Sequence, residues 1–87
     1  MNNLLNKNCF ISGATGGLGQ SFAENLAKQS CNLFLSSTNN KKLSKLADKT
    51  KELNSDIQVF YEAADLSNEE EIKKVSASAL NSFTSID

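Results

Sequence analysis

The chain contains no histidine, no proline and no tryptophan, and every one of its nine basic residues is lysine. Without histidine it lacks the side chain most used as a general base near neutral pH, and the commonest metal ligand. No paired catalytic carboxylates and no cluster of metal-ligating residues take its place. Cysteine is scarce. Cys9 and Cys31 sit inside apolar runs with no C-x-x-C spacing, so they read as small buried hydrophobes rather than a disulfide, metal or redox pair. No apolar run approaches the ~20 residues of a membrane-spanning helix. The segment Met1–Lys7 lacks the long apolar stretch of a signal peptide. A cytoplasmic location is the resulting expectation. A net charge of −1 gives no pull towards nucleic acid or an anionic membrane, so neither is expected as a partner.

What is present is a globular composition, 39% hydrophobic and 22% charged, on 87 residues. That length is short for a doubly wound α/β domain, since soluble domains usually run to ~100–200 residues. The pattern alternates along the chain. Asn8–Ser12 is a short apolar run that ends in a glycine-rich turn and reads as a buried strand. Between Gly17 and Gln29, the residues Leu18, Phe22, Ala23, Leu26 and Ala27 recur at helical spacing. Asn32–Ser36 is a second apolar run, of the kind found in parallel sheets covered on both faces. Lys41–Leu53 carries Leu43, Leu46, Ala47 and Leu53 on one helical face. Asp56–Ala63 reads as a third strand. Ser67-Asn68-Glu69-Glu70 matches a capping box, ahead of a stripe of Ile72, Val75, Ala79 and Phe83.

The order β-α-β-α-β-α implies right-handed crossovers and a Rossmann-type α/β fold. Its parallel sheet is expected in the order 3-2-1, an incomplete half of a doubly wound fold. Residues 1–87 then form an N-terminal dinucleotide-binding part, cut before a fourth strand. The first strand would be central in the complete fold, and here its far edge has no expected neighbour. Truncation is one explanation; a small protein that borrows a partner for this edge is the other.

Ile11–Gly19 links the first strand to the first helix through a G-x-x-x-G-x-G spacing. Gly13 permits the tight turn out of the strand. Gly17 lets the backbone approach a pyrophosphate. Gly19 allows the helix to pack closely. The pyrophosphate would lie at the helix N-terminus, where free N–H groups and the macrodipole favour anions. The spacing is neither G-x-G-x-x-G nor a Walker A loop, and a glycine turn that merely joins strand to helix is the plain alternative.

Ser12-Gly13-Ala14-Thr15-Gly16-Gly17-Leu18-Gly19 resembles the T-G-x-x-x-G-x-G segment of the short-chain dehydrogenase/reductase family. Asn32–Leu35 through Lys42-Leu43 is similar to that family's second strand and following helix. Ala64-Asp65-Leu66-Ser67 resembles its acidic motif after the third strand, and Ser85-Ile86-Asp87 the stretch before its N-N-A-G segment. The resemblance covers the whole chain and implies a nicotinamide dinucleotide as partner. It implies that Asp65 contacts the adenine ring, with Leu66 as its backbone neighbour, and that Thr15 and Leu18 lie along the phosphate and ribose path, mostly through backbone groups. Read without it, Asp65 is a turn residue ahead of a helix. The nearest family type is a 3-oxoacyl-acyl-carrier-protein reductase.

An acidic residue about 20 positions past the glycines binds the ribose 2′-hydroxyl in NAD enzymes. Here the second strand ends in Ser36-Ser37-Thr38-Asn39, with no carboxylate and with Lys41 and Lys42 following. Hydroxyls and amides can donate to a 2′-phosphate, which favours NADP(H) over NAD(H). Two departures weaken that lean. The resemblance puts Thr38 and Gly16 where NADP(H)-using members carry basic residues, so no guanidinium fork is available. Ser37, Thr38 and Asn39 could simply cap the next helix, a role compatible with ligand contact.

The family's catalytic Ser, its Tyr-x-x-x-Lys pair and its N-N-A-G segment would all lie beyond Asp87. Tyr61 is no substitute, because Asp65 stands where the paired Lys would be. No catalytic residue is therefore assigned to this chain. The parent is expected to be an NADP(H)-dependent carbonyl reductase and a homo-oligomer. A dinucleotide-binding module without catalysis and a truncated product without a stable fold are the alternatives.

Overall fold

The three apolar runs become three parallel strands. A computed structural model of the chain describes residues 7–65 and 67–82. Its elements are β1 (Asn8–Ile11), α1 (Gly17–Lys28), β2 (Asn32–Ser37), α2 (Asn40–Leu53), β3 (Val59–Ala63) and α3 (Glu69–Ser82). β2 is central, with β1 on one side and β3 on the other, so the expected 3-2-1 order holds. Cys9 faces Leu33 across the first pair, and Leu35 faces Tyr61 across the second.

Successive side chains on a strand point to opposite faces, and β2 shows where the layers lie. Leu33 and Leu35 join Ala23 and Ala27 of α1 and Leu43, Leu46 and Ala47 of α2 in one cluster. Phe34 points the other way and packs with Ala79 of α3, between Phe10 and Phe60. The Phe10 and Phe34 rings stack with centroids 5.6 Å apart. The sheet is thus sandwiched between α1 and α2 on one face and α3 on the other. This double cover is why β2 is apolar at consecutive positions and why Leu33–Ser37 are all buried.

The apolar stripe expected on α1 divides. Ala23 and Ala27 are buried, while Leu18 and Phe22 remain 73% and 54% exposed. Helical spacing groups all five residues, but only those turned towards β2 and α2 find a partner among the described residues.

The connections are set by local hydrogen bonds. α1 ends in a Schellman arrangement. The Ser30 N–H donates to Ala27 O and the Cys31 N–H to Leu26 O, with Ser30 at φ +65°. The Asn54 side chain locks that end by donating to Ala27 O and Ser30 Oγ. α2 is capped by Asn39, whose Oδ1 accepts from the Lys42 N–H at 3.0 Å. The cap of α3 falls one residue later than the expected capping box. Asn68 Oδ1, not Ser67, accepts from the Glu70 and Glu71 N–H groups. Ser67 is instead engaged with Asp65. Three glutamates in the first turn suit the positive end of α3. β3 is also shorter than the expected Asp56–Ala63. The Asn54 side chain holds the Asp56 N–H in a turn, so the ladder begins at Val59. Phe83 of the expected stripe lies outside the described residues. No described helix is long and apolar enough to cross a membrane.

Candidate functional site

In a parallel sheet, the loops leaving the C-terminal strand ends converge at one side, and ligands bind in the crevice they form. Here these are the glycine loop after β1, Ser37–Asn39 after β2 and Ala64–Asp65 after β3. Two backbone bonds tie them together. The Ala14 N–H donates to Ser36 O at 3.0 Å, and the Ala64 N–H to Ser37 O at 2.8 Å. The result is a cleft of about 450 Å³ lined by Ser12, Gly13, Thr15, Gly16, Ser37, Thr38 and Ala64. Thr38 and Ala64 also line a smaller neighbouring hollow of about 200 Å³ with Ala63, Asp65 and Glu71. Of the residues predicted from sequence, Gly13, Thr15, Gly16, Ser37 and Thr38 line the cleft, and Asp65 lines the neighbouring hollow.

The four glycines of the chain all lie in this loop, and they do different things. Gly13 has φ +61°, a conformation that L side chains rarely adopt, so the turn out of β1 requires it. A Cβ on Gly17 would meet nothing within 4 Å. That position is bare for reasons other than packing, which is what close approach of a ligand needs. A Cβ on Gly19 would press on Gly13 O and lie 2.9 Å from Ala14 Cα. Its absence lets α1 pack on the backbone of the loop itself. Gly16 is the N-cap of α1 and offers no side chain to the first-turn N–H groups. Those donors stay open at the positive end of the helix. The Gln20 side chain holds the loop from behind by donating to Thr15 O at 2.8 Å.

The remaining predicted residues are placed less directly. Leu18 projects into solvent and does not line the cleft. Asn39 is committed to capping α2, as the plain sequence alternative has it. Ser37 is buried and its Oγ accepts from the Asn39 N–H at 3.1 Å, leaving its hydroxyl hydrogen to donate. Thr38 is exposed in the cleft. Asp65 is exposed, and its Oδ1 accepts from the Ser67 hydroxyl at 2.6 Å and the Ser67 N–H at 2.9 Å. These two bonds, the hydroxyl's above all, hold its carboxyl below the ordinary value of 3.8. It is an acceptor at neutral pH, and Oδ2 carries neither bond. Its own N–H donates to Glu71 Oε1. Leu66 lies outside the described residues. Ser12 and Ala64 line the cleft but were not singled out from sequence. Ser12 opens the glycine motif and was legible there; Ala64 contributes only its place, which no side-chain chemistry announces.

The arrangement places open N–H donors, hydroxyls and an acidic acceptor around two neighbouring hollows at one edge of the sheet. That set suits a ligand with phosphates at one end and an amino-bearing ring at the other.

A family model for short chain dehydrogenase matches residues 7–87. Among solved structures, the chain is similar to an alcohol dehydrogenase from Thermococcus sibiricus complexed with 5-hydroxy-NADP. The identity is 30% and the TM-score 0.87, over 93% of this chain and 34% of that one. It is similar to levodione reductase at 25% identity and TM-score 0.93, over 98% and 33%. A short chain dehydrogenase/reductase from Burkholderia phymatum, in complex with NAD, matches at 26% identity and TM-score 0.88, over 99% and 30%. The chain thus spans about a third of the length of these structures. No curated protein matches it significantly. Fold, glycine loop and family model agree, and the chain belongs to the short chain dehydrogenase family.

Proposed function

We propose that the chain is the nicotinamide-dinucleotide-binding segment of an NADP(H)-dependent oxidoreductase of the carbonyl reductase type. The observation that carries this reading is the cleft itself. The open N-terminus of α1 and the carboxylate-free end of β2 share this cleft, and the acidic acceptor after β3 lines a neighbouring hollow that shares Thr38 and Ala64 with it. In this reading the first-turn N–H groups of α1 hold the pyrophosphate, with Gly17 leaving room for it. The Ser37 and Thr38 hydroxyls donate to a 2′-phosphate, and Lys41 and Lys42 add positive charge. Asp65 accepts from the adenine amino group. Structures similar to this chain hold a 5-hydroxy-NADP in one case and NAD in another, so the preference rests on the residues at the end of β2.

The bound cofactor supplies hydride, while the protein must orient the substrate and protonate its oxygen. Those groups lie outside residues 1–87 in this reading. A 3-oxoacyl thioester is the substrate that the sequence resemblance favours.

Titration of the purified chain with NADPH and NADH tests the proposal. Charge-assisted hydrogen bonds are worth ~1.5–3 kcal/mol each, so NADPH is expected to bind at least about tenfold tighter. Equal or tighter binding of NADH refutes the NADP(H) assignment. Failure to bind either, from a chain with a cooperative melt, refutes the cofactor assignment.

A further inference from the structure

Two cysteines assigned to separate apolar runs meet in the fold. Cys9 lies on β1, and Cys31 immediately precedes β2. Cys9 stands opposite Leu33, so Cys31 is two residues back along the neighbouring strand line. Both side chains belong to the cluster around Leu33 and Leu35. The sulfurs are 3.5 Å apart, with the Cys9 thiol donating to Cys31 Sγ. Neither is in a disulfide; Cys31 is buried and Cys9 half-buried.

We infer that Cys9 and Cys31 form a redox site that closes to an intrachain disulfide under peroxide. A disulfide holds its sulfurs at about 2.05 Å, so the pair must close by about 1.5 Å. The backbone on both sides can give. Among the described residues β1 is hydrogen-bonded along one edge only. Cys31 stands between a helix end and a strand start, directly after the left-handed Ser30.

The oxidant is hydrogen peroxide, small enough to reach half-buried Cys9. The Cys9 sulfur attacks one peroxide oxygen, the O–O bond breaks, and Cys9 becomes a sulfenic acid with release of one water. The Cys31 sulfur then attacks Cys9 Sγ. The S–O bond breaks and a second water leaves, carrying the thiol proton. Two thiols and one peroxide give one disulfide and two waters. The bond would close a loop across a sequence separation of 22 that contains the glycine loop and all of α1. It lies at the N-terminal ends of β1 and β2, away from the cleft at the opposite ends. Its effect is therefore to staple the domain rather than to occlude the cleft.

The experiment treats the purified chain with hydrogen peroxide, then alkylates and digests it without reductant. A Cys9 peptide linked to a Cys31 peptide is expected, with two hydrogens lost from the intact mass and no titratable thiol. The melting temperature should rise on the order of 10 °C and fall back with dithiothreitol. The Cys31→Ala variant should leave Cys9 as a sulfenic acid captured by dimedone. In denaturant the cross-link should form more slowly, because the proximity set by the fold is lost. Two surviving thiols, oxygen addition at each cysteine without a cross-link, or cross-links only between chains would overturn the inference.

Discussion

Alanine placed at Gly17 and at Gly19 separates ligand binding from folding within one loop. At Gly19 the new Cβ meets backbone, Gly13 O and Ala14 Cα, which cannot rotate away. Overpacking of this kind costs ~1–3 kcal/mol, and helix propensity returns up to ~1 kcal/mol. A net loss of ~1–2 kcal/mol lowers the melting temperature of a domain this size by about 5–15 °C. At Gly17 the Cβ enters open space, so the fold loses nothing and α1 gains a better helix former. The same methyl would stand where the pyrophosphate must approach. Loss of one charge-assisted hydrogen bond weakens cofactor binding by ~1.5–3 kcal/mol, roughly 10–100-fold. Thermal melts and NADPH titrations of both variants test this. A Gly17→Ala chain that binds NADPH normally refutes the phosphate cradle. A Gly19→Ala chain that melts with the wild type refutes the packing argument.

Three further outcomes follow from the site. Thr38→Asp places a carboxylate in the cleft, and should reverse the cofactor preference by repelling a 2′-phosphate, about tenfold or more, read by parallel NADPH and NADH titrations. Asp65 is depressed below its ordinary value by Ser67, so its ionised form stabilises the fold fully above pH 3.8 and ceases to do so as pH falls through the lower folded value. Ser67→Ala should move the Asp65 titration back up towards 3.8 in carboxyl-carbon NMR; an unmoved titration refutes the hydrogen-bond cause. Asn39→Ala removes the α2 cap and should cost ~1 kcal/mol, read as a lower melting temperature.

The cleft also explains how a short chain presents so specific a surface. Parallel strands deliver three loops to one edge of the sheet, and two backbone bonds, Ala14 to Ser36 and Ala64 to Ser37, bring them into register. In the proposed reading specificity rests on a few side chains at strand ends, Ser37, Thr38 and Asp65, while the glycines contribute by having none.

Sequence by itself determined the element order, the parallel sheet and the glycine loop. These follow from local signals, because strand and helix periodicities differ and a glycine run between them has few uses. It also located Asp65 and the carboxylate-free end of β2, since both are readable as residue types at a position. Only the tertiary structure decided which residues share a surface. Leu18 and Phe22 fit the stripe of α1 yet stay exposed, because burial depends on what packs opposite and not on spacing. Gly17 and Gly19 look alike in sequence, and only their surroundings distinguish bare space from a backbone contact. The α3 cap is Asn68 because the helix starts at Glu69, while Ser67 is held in a turn by donating to Asp65. Cys9 and Cys31 fit the pattern of ordinary buried hydrophobes, and the pairing of β1 with β2 brought their sulfurs to 3.5 Å. Non-local proximity arises from strand register, which no local window of sequence contains.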